Sequence, residues 1–241
     1  MSTIAIVGAG PQLGFAIGAK FAEKGGFNVA LVARGEARLA AMVDKFRSAG
    51  VSAAAFSADV TDRPSLGKAL AAAEEHFGSI DVLEYSPAPT PSDLVDRPLV
   101  AAVDLTVEAV VPALETNFFG AVAAVRQVLP GMLDRGAGTI LGTSGAGSGP
   151  MVVPQVANAN VANAAMRNWF LALNESLADR GVHVAHIALG ARIGSGRPDS
   201  EPDVIADLYW KAHVERDVAE VFHHDLPEEF GFQLADKFRV E

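Results

Sequence analysis

Two stretches of the sequence combine residue types and spacing that can do chemistry. The first is Gly8-Ala9-Gly10-Pro11-Gln12-Leu13-Gly14, which follows the apolar run Thr3 to Val7 and precedes a segment of helical period. A strand that turns through glycines into a helix aims its loop amides and the helix N-terminus at one point, an arrangement suited to a pyrophosphate. Gly8 permits the tight turn, Gly10 lets the backbone approach the ligand, and Gly14 lets the helix pack close to the sheet. The second stretch is Val32-Ala33-Arg34, at the end of the next apolar run. An acidic residue there would accept the ribose 2′-hydroxyl of NAD. An uncharged residue followed by Arg34 instead leaves room for a 2′-phosphate and offers it a guanidinium, so the reading favours NADP over NAD. A structural turn and a solvated arginine are the plain alternatives.

These features need a framework, and the rest of the chain supplies one. Strands are expected at Thr3 to Val7, Asn28 to Val32, Ala53 to Ser57, Ile80 to Glu84, Gly138 to Thr143 and Val182 to Leu189. Helices are expected between them, at Gln12 to Lys24, Glu36 to Ala49, Pro64 to Phe77, Val110 to Leu133, and from the Pro154 stretch to about Arg180. Alternation of this kind gives an α/β fold, a Rossmann-type doubly wound parallel sheet covered on both faces. No break in composition divides it, so residues 1–241 read as a single nucleotide-binding domain. From about residue 195 to 241 a lid and C-terminal extension is expected. In it Val204 to Phe222 returns to helical spacing after a polar, proline-containing loop.

Composition narrows the function. Half the residues are apolar, enough to fill a core, and the absence of cysteine removes thiolate nucleophiles, disulfides and thiolate metal sites. A formal charge of -10, with 19 scattered basic residues, argues against nucleic acid. No basic segment followed by a cleavable apolar stretch precedes the glycine loop, and no apolar run approaches the ~20 residues of a membrane span. The expectation is a soluble cytoplasmic protein with no membrane partner. No grouping of histidine with carboxylates suggests a metal site. His183 and His186 lie in a buried strand, and His223-His224-Asp225 falls in the tail.

Together, the glycine loop, Arg34, Ala58-Asp59-Val60, Ile80-Asp81-Val82-Leu83, Thr116-Asn117-Phe118-Phe119-Gly120 and Gly138-Thr139-Ile140 resemble the short-chain dehydrogenase/reductase family, in its order and spacing and over nearly the whole chain. The resemblance implies that Gly8, Gly10, Gln12, Leu13 and Gly14 border the pyrophosphate and that Asp59 and Val60 flank the adenine. It also implies that Asn117 holds a water in a proton relay and that Gly190 lies beside the nicotinamide, with Leu189 in place of the family's proline. A small-molecule substrate and a homodimer or homotetramer are implied as well.

The departures from the family pattern bear on activity. Its glycine motif falls on Gly8, Gln12 and Gly14, so a side chain is expected where the cofactor usually passes the second glycine. Its Asn-Asn-Ala-Gly becomes Tyr85-Ser86-Pro87-Ala88. In Pro154-Gln155-Val156-Ala157-Asn158-Ala159-Asn160-Val161-Ala162-Asn163, Ala159 stands where the family has its catalytic tyrosine and Asn163 where it has lysine. Alanine transfers no proton, and asparagine has no charge to tune a phenol. Ser144 and Ser148 bracket the expected serine position. Asn160, Asn163 and Arg167 approach one helix face, suited to a polar ligand or to a helix-pair seam.

Replacement proton donors are few. Tyr85 lies at the C-terminal edge of the sheet, Tyr209 sits in Tyr209-Trp210-Lys211-Ala212-His213, and aromatic packing is the alternative for both. Arg192 either reaches an anionic substrate or points outward. Three functions stay open on the sequence: an atypical NADP-dependent reductase acting on a carbonyl, imine or enone, with Asn117, Ser144 and Tyr85 as catalytic candidates; a dinucleotide-binding or scaffold protein without turnover; and a non-redox isomerase or cyclase on the same fold.

Overall fold

The computed structural model describes residues 1–149, 151–226 and 233–234. Strand β1 (Thr3–Val7) is buried at every position, and so are all but the last residue of β2 (Asn28–Ala33). Between them runs α1 (Leu13–Gly25), and α2 (Glu36–Ser48) leads to β3 (Ala53–Ser57). Helix α3 (Arg63–Phe77) begins where Asp62 accepts the Ser65 N–H at 3.1 Å and Pro64 occupies the first turn. Next come β4 (Val82–Tyr85) and a short helix α4 (Pro91–Asp96) inside the proline-rich segment, where the sequence pattern predicts no element.

A continuous helix spans residues 107–135. Its first part is α5 (Val107–Ala113), a π-helical turn follows at Leu114–Phe119, and α6 (Gly120–Arg135) completes it. By length and composition this helix is apolar enough to cross a membrane, contrary to the expectation that no run would be. Such helices also occur in cores, and this one packs on α3, on β4, and on the strand and helix at residues 138–145 and 157–177. Strand β5 (Gly138–Gly145) and the short β6 (Met151–Val152) precede α7 (Ala157–Leu177) and β7 (Val182–Gly190). Helix α8 (Pro202–Glu215), β8 (Glu220–His224) and β9 (Gln233–Leu234), which pairs antiparallel with β6, close the described chain.

The main sheet has the order β3-β2-β1-β4-β5-β7-β8, and every pairing is parallel. Alternate side chains feed two cores. Ile4, Ile6, Val29 and Leu31 pack toward α1, α2 and α8, whereas Ala5, Val7, Ala30 and Val32 pack toward α3, α6 and α7. Strand order reverses between β1 and β4, so a crevice opens where their C-terminal ends diverge.

The tail corrects one expectation. Helical spacing from Val204 to Phe222 does not give one helix: α8 ends at Glu215, Arg216 turns with φ 53°, and Glu220–His224 joins the sheet beside β7. Helix α8 packs on α1, so the region expected as lid and extension belongs, up to His224, to the body of the fold. Its remainder at residues 227–232 and 235–241 lies outside the described residues.

Candidate functional site

A cavity of about 660 Å³ occupies the crevice at the strand-order reversal. Gly8, Ala9 and Gly10 form one wall, Arg34, Arg38, Asp59 and Val60 one end, and Thr116, Asn117, Asn158 and Ala159 the other. The segment from Pro87 to Val100 crosses over it.

At the glycine-loop end the Gly8 and Ala9 N–H groups donate to the Val32 carbonyl at 2.9 and 3.2 Å, so the donors that could hold a dinucleotide begin at Gly10 and the first turn of α1. Gly8 has φ +92°, and a Cβ there would sit 2.5 Å from the Pro87 backbone nitrogen, so only glycine suits the position. A Cβ on Gly14 would lie 3.2 Å from Ala9 Cα, which shows how closely α1 packs on the loop. No side chain caps the N-terminus of α1, and the uncapped first turn adjoins a loop that lines the cavity. Gln12 does not line the cavity; its amide lies against Gly194 in the loop after β7. The Gln12 side chain thus turns toward the loop after β7 and not into the cavity. Leu13 and Gly14 support the loop from outside the lining.

Arg34 faces the cavity but has a partner. Its Nη1 and Nη2 donate to the two carboxylate oxygens of Asp93 at 2.9 and 2.6 Å. This fork pushes the Asp93 carboxyl far below its usual range and raises Arg34. Asp59 accepts from the Thr61 N–H and hydroxyl at 2.9 and 2.8 Å, fixing its carboxylate beside Val60.

At the opposite end the three asparagines of the Pro154 stretch separate in function. Asn163 Oδ1 accepts from Asn117 Nδ2 at 2.7 Å, and the π-helical turn carries Asn117 into the cavity wall. Asn160 donates to the Val153 carbonyl at 2.8 Å. Asn158 accepts from the Val100 N–H at 3.0 Å and donates to the carbonyls of Pro98 and Ala109 at 3.0 and 3.3 Å, tying the overlying segment to α7 and α5. Arg167 leaves this face to form a forked ion pair with Glu220. Ala159 lines the cavity and contributes only a methyl group.

Two of the proposed proton donors point elsewhere. Tyr85 is wholly buried, its hydroxyl donates to the Thr116 carbonyl, and burial raises its pKa further. Ser144, 7 % exposed, hydrogen-bonds with His186 Nε2 at 2.8 Å, off the cavity. His186 is held below its ordinary pKa by burial, although Glu220 opposes that shift. Ser148 is also buried. Tyr209 packs in the core with its hydroxyl 2.7 Å from Thr143 Oγ1. Gly190 meets Met151 and His224 rather than the cavity, and Arg192 is exposed.

The model of the short chain dehydrogenase family matches residues 2–193. The chain belongs to this family. An A-factor type gamma-butyrolactone 1′-reductase of Streptomyces virginiae is 30% identical over 233 residues, covering 92% of this chain and 80% of that protein. Among solved structures, a single-substitution variant of actinorhodin polyketide ketoreductase with NADPH superposes with a TM-score of 0.80 at 23% identity, over 92% of this chain and 96% of that one. A short-chain oxidoreductase of Pseudomonas aeruginosa PAO1 with NADPH bound, described as containing an atypical catalytic center, gives 0.78 at 20% identity over 92% and 94%. At these identities the two structures establish the short-chain dehydrogenase fold.

Two residues at the site and one in the core escaped the sequence reading. Asp93 had a readable signal, because Thr90-Pro91-Ser92-Asp93 has the form of a capping box with proline in the first turn, and the structure contains that box. Asn158 had none beyond its residue type. The third is Glu84, fully buried on β4, accepting from Ser86 and Thr143 hydroxyls at 2.8 Å each. Burial pushes its carboxyl up to about 8 against the two hydroxyls, so it is mostly protonated at neutral pH.

Proposed function

We propose that the protein is an NADP-dependent reductase that transfers hydride to a small carbonyl, imine or enone without a tyrosine–lysine pair. One observation carries this reading: a single cavity runs from the glycine loop and Arg34 to Asn117 and Ala159. In this reading the loop at Gly8 to Gly10 and the start of α1 hold the pyrophosphate, Asp59 and Val60 border the adenine, and Arg34 takes the 2′-phosphate. The nicotinamide, when bound, supplies the hydride, and the chain contributes position and polarity.

Around Ala159 the cavity is lined by Thr116, Asn117 and Asn158, none of which ionises, and Glu108, which also lines it, has its carboxyl held below the usual range by hydrogen bonds from its own backbone and Thr106, so it is no acid at neutral pH. A proton therefore comes from water or from the substrate. An iminium, neutralised by hydride, or an enone, protonated by solvent after hydride addition, suits such a wall better than a ketone left as an alkoxide. The amide pair Asn117–Asn163 orients the substrate end of the cavity. The same non-ionising wall supports a second reading, a dinucleotide-binding protein without turnover.

A cytoplasmic homodimer or homotetramer fits the exposed apolar residues Val107, Val111, Phe119 and Val161 on the 107–135 helix and α7. Calorimetric titration with NADPH and NADH, with Arg34→Ala as control, tests the cofactor assignment. NADPH consumption with a cyclic imine, an enone and a ketone tests the chemistry. Binding of NADPH without consumption in any of the three selects the second reading, and absence of binding overturns both.

A further inference from the structure

The segment over the cavity is held at three places. Pro87 rests on Gly8 at one end, and Asn158 fastens Pro98 and Val100 at the other. Midway, Asp93 grips Arg34 with both oxygens. The grip is preorganised, because the Thr90 N–H and hydroxyl also donate to Asp93 Oδ2, at 2.8 and 2.7 Å. The fork that Arg34 presents to Asp93 is the geometry with which an arginine binds a phosphate bidentately.

We propose that Asp93 sets nucleotide selectivity: it occupies the phosphate-binding edge of Arg34, so a 2′-phosphate must displace it, whereas a ribose with a free 2′-hydroxyl enters with the clasp closed. This rests on the cofactor reading above. A phosphate approaching Arg34 meets a carboxylate already neutralising the guanidinium, and the two anions repel across a few ångströms. A hydroxyl meets no such repulsion.

The clasp is exchangeable. Side-chain exposures of 49% for Arg34 and 20% for Asp93 leave the pair screened by water, so its own strength is modest and a better ligand can replace it. Selectivity then reflects competition between carboxylate and phosphate for one guanidinium. Arg34 alone would strongly favour NADP; the pair lowers that preference and admits NAD.

The test is calorimetric titration of wild type, Asp93→Asn, Asp93→Ser, Arg34→Ala and the Arg34→Ala/Asp93→Asn double variant. The ligands are NADPH, NADH, adenosine 2′,5′-bisphosphate and 5′-AMP. Both Asp93 variants keep a side chain able to cap α4, and their melting temperatures check that the fold is intact. The expected result is a gain of about tenfold for NADPH and the bisphosphate, with NADH and 5′-AMP changed by less than about twofold, and no gain in the Arg34→Ala background.

Equal gains for both nucleotides would show a lid released without discrimination and overturn the proposal. So would weaker NADPH binding by Asp93→Asn, or a gain that survives loss of Arg34. If NADPH binds and depends on Arg34 but is indifferent to Asp93, this inference falls and the cofactor reading stands. If no protein binds either nucleotide, both fall.

Discussion

The two ends of the cavity are built from different parts of the chain. The glycine-loop end is built from backbone: the turn at Gly8, the close packing of α1 at Gly14 and a helix start with no side-chain cap. The Asn117–Asn163 end is built from side chains, that amide pair and the methyl group of Ala159. Backbone sites are tied to the fold, because the strand, turn and helix that make them also make the core. Side-chain chemistry can change with the α7 helix, its packing and the sheet intact. Family membership thus constrains the first end far more than the second.

The largest expected effect breaks the backbone end. Gly8→Val places a β-branched side chain at φ +92° and against the Pro87 backbone, where a Cβ alone would already lie 2.5 Å from the nitrogen. NADPH affinity should fall at least about a hundredfold, with a lower melting temperature, in calorimetry and thermal denaturation. Retained affinity would mean that the loop is not where the nucleotide binds.

How much of each end was legible follows from the same difference. The positions of β1 and β3 and the start of β2 were readable to the residue: β1 and β2, buried on both faces, show as short apolar runs with turn signals around them, and β3, partly exposed at the sheet edge, shows as a short Ala-rich run in the strand–helix alternation. Strand β8 was not, since it is only half-buried and the helix before it ends at Arg216 without glycine or proline. Val218, just before it, and its Val221 and Phe222 also fit a helical period. The glycine loop and Asn117 were recognised from local motifs. The Arg34–Asp93 clasp joins residues 59 apart, and Asn158 holds segments 58 and 60 positions away, so neither pairing has a local signature. Tyr85 and Ser144 were placed correctly at strand ends, but the pleat directs Tyr85 into the core and Ser144 toward His186.

Glu84 lies off the cavity lining, fully buried on β4, and its effect should be read in stability. Its folded-state pKa is raised from 4.5 to about 8, so the folded chain keeps a proton that the unfolded chain releases. Its stabilising protonation is fully present below pH 4.5 and is lost as pH rises through about 8. Glu84→Gln, which keeps shape and hydrogen-bonding capacity, should remove this slope and leave the variant several kcal/mol more stable than wild type at pH 9. Urea denaturation at pH 5, 7 and 9 measures it; parallel pH dependence in both proteins would show that Glu84 ionises freely in the fold.

The side-chain end can be sharpened by restoring what it lacks. Ala159 lines the cavity and Asn163 adjoins Asn117, so Ala159→Tyr with Asn163→Lys puts a phenol and an ammonium on neighbouring turns of α7. NADPH-dependent reduction of a ketone should rise about tenfold over wild type, while reduction of an imine, which needs no acid from the protein, should not rise with it. No gain with the ketone, in a variant that still binds NADPH, would mean that the wall around Thr116 and Asn158 also excludes the ketone geometry.

The smallest expected effect separates sequence pattern from structure at the backbone end itself. By motif, Gln12 stands where a glycine would clear the cofactor's path, which predicts a large gain from Gln12→Gly. By structure, the Gln12 amide lies against Gly194 and outside the cavity lining, so the path is already clear. Gln12→Gly should change NADPH affinity by less than about twofold, because it alters neither the Gly8 turn nor the space at Gly10. It should instead loosen the loop after β7, whose Gly194 loses its neighbour, and lower the melting temperature slightly. A gain of tenfold or more in calorimetry would show that Gln12 swings over the loop in solution, and the backbone end would then depend on a side chain as much as the other end does.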